Sequence, residues 1–339
     1  MLLKKRLYLV GVFILLLLSI ISSFWIGQYP ISLEEYKDVF YYWLNVDLNP
    51  AILEKVKFTI IVLEEIRLPR IMAAILIGAA LSVSGVVFQG IFVNPLVSPG
   101  ILGVLAGASF GAALGMLLGQ SLFIIQVTAF VFGLLAVVFA LFISKFYAQG
   151  NTLLMLVLGG VISSSLFGAL LSLVKYTADP YNTLPSIVYW LMGSLSSVKL
   201  ESILMVTPWI VVFIIILISF GKHLNLMSLG EDDARTLGLD VKKVRLLMIF
   251  LATILSALSV MLAGMIGWIG LVIPHISRFL VGANHVLLIP MSALLGGTFL
   301  LIVDTASRGF FLTEIPLGIL TSLIGIPVFL FVLKHSLKS

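Results

Sequence analysis

Apolar runs long enough to cross a bilayer recur along almost the whole chain, near residues 7–27, 68–90, 100–118, 122–145, 152–174, 202–221, 245–264, 286–303 and 315–333. A run of about twenty apolar residues spans the hydrocarbon layer as a helix. Backbone groups in lipid must be satisfied within the segment or around a closed barrel. Barrel strands would alternate apolar and polar residues, and these runs do not. The expected fold is therefore an all-α integral membrane protein. A shorter run, Trp268 to Val281, decides the count. Including it gives about ten spans and puts both basic ends of the chain on one side, as the distribution of Lys and Arg requires. It is expected as a short helix broken near Pro274.

Composition agrees. Of 339 residues, 61% are hydrophobic and only 10% charged, with a mean hydropathy of +1.22, whereas soluble domains run near a quarter charged. Little is left to build a water-facing module, so residues 1–339 read as a single membrane domain. The first run, Leu7 to Trp25, is long enough to span and no A-x-A site follows it, so an uncleaved first helix is expected. Basic residues gather before it (Lys4, Lys5, Arg6), around residues 222–245 (Lys222, Lys242, Lys243, Arg245) and at the end (Lys334, Lys338). These mark the cytoplasmic side. They form no stripe interleaved with aromatics, so nucleic acid is not an expected partner. Residues 29–66 and 175–200 then lie outside, the first with an interfacial aromatic helix, the second with a short amphipathic helix ending near Gly193.

The chain lacks the usual signatures of chemistry. It has no G-x-x-x-x-G-K-[ST], no H-E-x-x-H and no cysteine. Its four histidines, His223, His275, His285 and His335, are scattered. No catalytic residue, cofactor or metal site is expected, and any energy for transport must come from a gradient or another subunit.

Between two long apolar runs stands a polar island, residues 222–245, which must sit at the membrane surface. Leu229, Ala234 and Leu237 put apolar groups on roughly one side of a short helix, while Glu231, Asp232, Asp233 and Arg235 face elsewhere. Gly230 and Gly238 bracket it, the second suited to a C-cap with positive φ. A passive tether needs neither caps nor a stripe.

Four further groups stand out. Arg67 and Arg70 fall on the outer side, against the positive-inside trend, and either pair locally with Glu64 or Glu65 or serve a partner. Asp304 and Arg308 are four residues apart, acid first, and can pair along one helix face. The cytoplasmic loop Val93 to Gly100 is stiffened by Pro95 and Pro99. Gly103, Gly107, Gly111, Gly115 and Gly119 recur every four residues, a groove for close helix packing.

Four segments carry a family resemblance: LNLMSLGEDDARTLGL in the island, Glu64 to Ala108, Gly264 to Arg278, and Glu314 to Phe329. Together they resemble the FecCD family, permease subunits of ABC importers for iron-siderophores, haem and cobalamin. The resemblance implies a homodimer around a central translocation pathway, an ABC ATPase dimer below and a soluble substrate-binding protein above, all in a cell membrane. It implies that Leu229, Gly230, Glu231, Asp232, Ala234, Arg235, Leu237 and Gly238 couple to the ATPase, and that Arg67, Arg70 and Arg308 receive acidic residues of the binding protein. Asn94 and Leu96 would form the inner gate, with Gly150 and Asn151 in a second gate loop. Glu314 would open the last helix, favoured there by the helix dipole. His275 is expected to hydrogen-bond a loop. Relatives also handle small oxyanions such as molybdate. An ion-gradient-driven carrier is the runner-up, and the near absence of mid-span charge counts against it.

Overall fold

The computed structural model describes residues 2–44, 46, 49–147, 152–310 and 313–336, and no strand occurs among them. Its helices are α1 (Leu2–Trp25), α2 (Leu33–Trp43), α3 (Pro50–Ile61), α4 (Leu68–Ile91), α5 (Val104–Leu117), α6 (Leu122–Phe146), α7 (Thr152–Thr177), α8 (Thr183–Leu191), α9 (Leu200–Ser219), α10 (Gly221–Met227), α11 (Glu231–Thr236), α12 (Val241–Ala263), α13 (Ile269–Val281), α14 (His285–Gly309) and α15 (Leu317–Ser336). Among the described residues, seven helical stretches are long and apolar enough to span, and three shorter apolar helices (α5, α13 and Leu317–Val332 of α15) stand beside them, in line with the expected ten or so.

Outer segment 29–66 differs from expectation. α2 is started by a capping box, in which Ser32 Oγ accepts from the Glu35 N–H and Glu35 Oε2 accepts from the Ser32 N–H. α3, however, runs through a π-helical turn at Val62–Arg67 directly into α4, so one 40-residue helix, Ile52–Ile91, replaces the span expected to begin at 68. Segment 175–200 holds α8 and turns at Gly193, whose φ is +74°, as expected. Pro185 lies in the first turn of α8, where a missing N–H costs nothing.

α4 is the central pillar: 83% of its apolar window is buried, against 17% for α1. It packs on α14, α12, α13 and α9. Lipid and leucine are equally apolar, so helices associate by close contact and not by expulsion of water. The glycine stripe works this way at its centre: a Cβ on Gly107 or Gly111 would overlap the carbonyl oxygens of Phe132 or Thr128 on α6. Its ends do not belong to the groove. Gly103 and Gly119 lie outside α5 with positive φ.

α13 also corrects the sequence reading, since it passes unbroken through Pro274. Proline in a helix displaces the carbonyl four residues earlier, here that of Gly270. That oxygen is turned onto α4 at Gly85, where any side chain would collide with it. The break comes earlier instead, at Trp268, with φ +67°.

Candidate functional site

Two polar assemblies lie at opposite ends of the bundle. At one end, the polar island folds as two short helices. α10 is tied to the start of α14 by Asn225, whose Oδ1 accepts from the His285 backbone N–H at 2.8 Å and stands 2.9 Å from His285 Nδ1, while its Nδ2 donates to Asn284 Oδ1. α11 follows and ends in a glycine cap. The Leu239 N–H reaches back to the Ala234 carbonyl, the Gly238 N–H to that of Arg235, and Gly238 takes φ +84°. This double closure is the Schellman arrangement.

α11 does not present the apolar stripe expected from sequence. Ala234 is buried against the bundle, whereas Leu229 and Leu237 are 59% and 60% exposed. A six-residue helix bracketed by turns projects its flanking leucines away from its own packed face. Glu231 fixes that orientation: one carboxylate oxygen accepts from Arg235 and the other from Arg245 on α12 at 2.9 Å. The hydrogen bond from Arg245, foremost, holds the Glu231 carboxyl below its ordinary range. Arg245 reads in the sequence only as a marker of sidedness, and its role in clamping α11 is visible only in the fold.

The loop after α4 lies at the same end. Val93, Asn94, Pro95 and Leu96 are exposed, while Val97 and Pro99 are buried and anchor it. Asn94 Oδ1 accepts from the Leu96 N–H at 2.9 Å, a local turn that sets the direction of both side chains. The other expected gate residues, Gly150 and Asn151, lie outside the described residues. Lys5 also comes to this end, its Nζ 3.1 Å from where a Cβ on Gly282 would stand. The basic N-terminus, the island and the loop therefore share one side, as the charge distribution predicts.

At the opposite end, the three arginines expected to dock a partner are buried, with 2%, 5% and 4% exposure for Arg67, Arg70 and Arg308. Their partners are within the chain. Arg70 reaches Asp304 at 2.8 Å and Glu314 at 2.7 Å. Arg308 pairs with the same Asp304 at 3.2 Å, the i,i+4 pair expected, and donates to Ser23 O at 2.7 Å. Arg67 donates to the Tyr29 carbonyl and the Tyr36 hydroxyl. Glu64 and Glu65, the local partners considered from sequence, are exposed and stand apart from this network. Glu314 therefore serves Arg70, and α15 begins three residues later, at Leu317.

His275 makes no loop hydrogen bond at Nδ1, which is buried without a partner; its ring meets Phe329 edge-on. No group of three or more His, Cys, Asp or Glu residues that could hold a metal occurs among the described residues. The arrangement offers rigid presentation of one face at each end of a helical bundle.

Comparison with known proteins gives consistent results. The model of the FecCD transport family matches residues 14–335. The molybdate import system permease protein MolB of Haemophilus influenzae is 43% identical over 335 residues, covering 97% of this chain and 96% of that protein. The cobalamin import system permease protein BtuC of Halobacterium salinarum is 38% identical over 277 residues, covering 81% and 73%. A solved structure of an inward-facing conformation of a metal-chelate type ABC transporter superposes with a TM-score of 0.84 at 39% identity, covering 97% of this chain and 99% of that one.

Proposed function

This chain belongs to the FecCD transport family and is an ABC-transporter permease, and from that premise we propose that it forms the membrane pathway of a binding-protein-dependent importer driven by a separate ATPase. The observation that carries the reading is α11. A capped helix clamped to α12 through Glu231 and Arg245, with Leu229 and Leu237 bared, is built for apolar contact with a partner in water. Coupling through Leu229, Gly230, Glu231, Asp232, Ala234, Arg235, Leu237 and Gly238 follows, with Glu231, Ala234 and the glycines holding the helix and the leucines making contact. The pathway lies between two copies of the chain, with Asn94 and Leu96 at its inner mouth.

On the outer side the docking role takes a different form from simple charge display. Arg70 is already occupied by Asp304 and Glu314, and Glu314, with 27% of its side chain exposed, is the more accessible of those two carboxylates. An acidic group of the binding protein docks by displacing Glu314 from Arg70, above a network of two guanidiniums and two carboxylates.

The cargo has two readings. A metal chelate (iron-siderophore, haem or cobalamin) is supported by the cobalamin permease relative and the metal-chelate type structural neighbour. A small oxyanion is supported by the molybdate permease relative, which matches nearly end to end. ATP-driven uptake into vesicles containing the permease, its ATPase and its binding protein, tested with chelates and with molybdate and tungstate, separates them. Uptake that persists without ATPase but follows an ion gradient would overturn the importer reading itself.

A further inference from the structure

The cytoplasmic halves of α6 and α12 part to leave a groove of about 510 Å³. Leu134 and Leu141 form one wall, Leu246, Phe250 and Thr253 the other, and Lys243 stands at one end. A second cavity sets Phe123 to Phe130 of α6 against Ile254 to Met261 of α12, so the two helices run antiparallel. Lys145, one turn beyond Leu141 in α6, therefore lies at the same end as Lys242 and Lys243 in the first turn of α12. All three lysines are exposed.

Two features say what fills the groove. The first is its depth. From Lys243 to Thr253 a helix rises about 15 Å, half of a hydrocarbon layer about 30 Å thick. The groove thus runs the depth of one leaflet. It is open along one side, where Val138, Leu246 and Phe250 are 59%, 56% and 55% exposed. The second feature is charge at the headgroup level. Lys243 Nζ lies 3.0 Å from Asp240, but with the lysine 87% exposed that pair is weak, and the ammonium has donors to spare. Glu231 on α11 is held by Arg235 and Arg245 and does not answer these lysines. Basic pockets between spanning helices on the cytoplasmic side suit anionic lipid headgroups.

We infer that this groove binds one anionic phospholipid of the cytoplasmic leaflet, with its phosphate at Lys145, Lys242 and Lys243 and an acyl chain laid between α6 and α12. The site goes beyond the importer reading, since its ligand is a membrane lipid and not the cargo. A protein partner would need both acids at the headgroup level and an apolar ridge below them; one phospholipid supplies the two together.

The test is native mass spectrometry of the full-length permease released from detergent, titrated with phosphatidylglycerol or with phosphatidylcholine of the same acyl chains. Wild type should bind phosphatidylglycerol about tenfold or more tightly, since each basic residue at this surface contributes about a fivefold gain. The triple variant Lys145→Gln, Lys242→Gln, Lys243→Gln should lose that preference. Val138→Trp, which fills the groove without altering its charge, should weaken both lipids. Lys4→Gln, on a helix that packs against α14 and α4, should change neither. Equal binding of the two lipids by wild type overturns the inference, and this comparison needs no variant to fold. A preference kept by the triple variant, or lost equally in Lys4→Gln, overturns it by showing diffuse surface charge. Unchanged binding in Val138→Trp removes the groove from the site. Lipid adducts on the monomer that vanish from the dimer assign this face to a second copy of the chain and overturn the lipid reading.

Discussion

Asp304 is wholly buried and shared by two guanidiniums, so its removal should cost more than that of any exposed acid in the chain. In Asp304→Ala, Arg70 keeps Glu314, but Arg308 loses the carboxylate that pairs with it among the described residues and keeps its contacts to Ser23. Breaking one side of a buried ionic group costs about 3–5 kcal/mol, and thermal unfolding of the detergent-solubilised protein should show it. Glu231 gives a pH test with a definite sign. Its carboxyl lies below the ordinary value of 4.5 in the fold, chiefly through Arg245. The attachment of α11 to α12 is therefore fully present above pH 4.5 and is lost as the pH falls through the lower folded value. Protection of the amides from Ala234 to Leu239, taken relative to their intrinsic exchange rates, should stay high and flat near neutrality and fall only in acid; Glu231→Gln should lose that protection throughout.

At the scale of elements, the short helix α11 is the most informative, because its caps replace the stability that six residues cannot supply themselves. Gly238 occupies the left-handed region with no atom within 4 Å of a Cβ built on it, so a side chain there meets strain and not collision. Gly238→Val should cost about 1–2 kcal/mol locally and leave the membrane bundle intact. Substrate-stimulated ATP hydrolysis and copurification of the ATPase should both fall. Normal values for both would remove α11 from the coupling interface. α13 shows the complementary rule: Pro274 is tolerated because the carbonyl it displaces finds space at Gly85 on another helix.

For the whole molecule, the question is where the pathway runs. The tip of the loop after α4 is exposed, with Leu96 at 55%, on an end that also carries α11. In a chain without cysteine, Leu96→Cys offers a single reporter. Cross-linking between copies should form when the inner mouth is closed, fall when nucleotide or binding protein opens it, and block uptake when locked. Absence of inter-subunit cross-links in every nucleotide state would place the pathway within one chain.

The sequence alone determined what depends on local or averaged chemistry. The helical membrane fold follows from run length, the shared side of the N-terminus and the island from charge, the cap at Gly238 from a φ only glycine accepts readily, and the Asp304–Arg308 pair from i,i+4 spacing. Tertiary structure decided whatever depends on how helices rotate against one another. It brought Arg70 to Asp304 across 234 residues and to Glu314 across 244. It closed three arginines, read as a display for a partner, into the interior of one chain. It turned Leu229 and Leu237 outward while burying Ala234. Periodicity assigns a residue to a face of its helix, but in a bundle driven by close contact the neighbour of that face is chosen by shape, which no single segment contains.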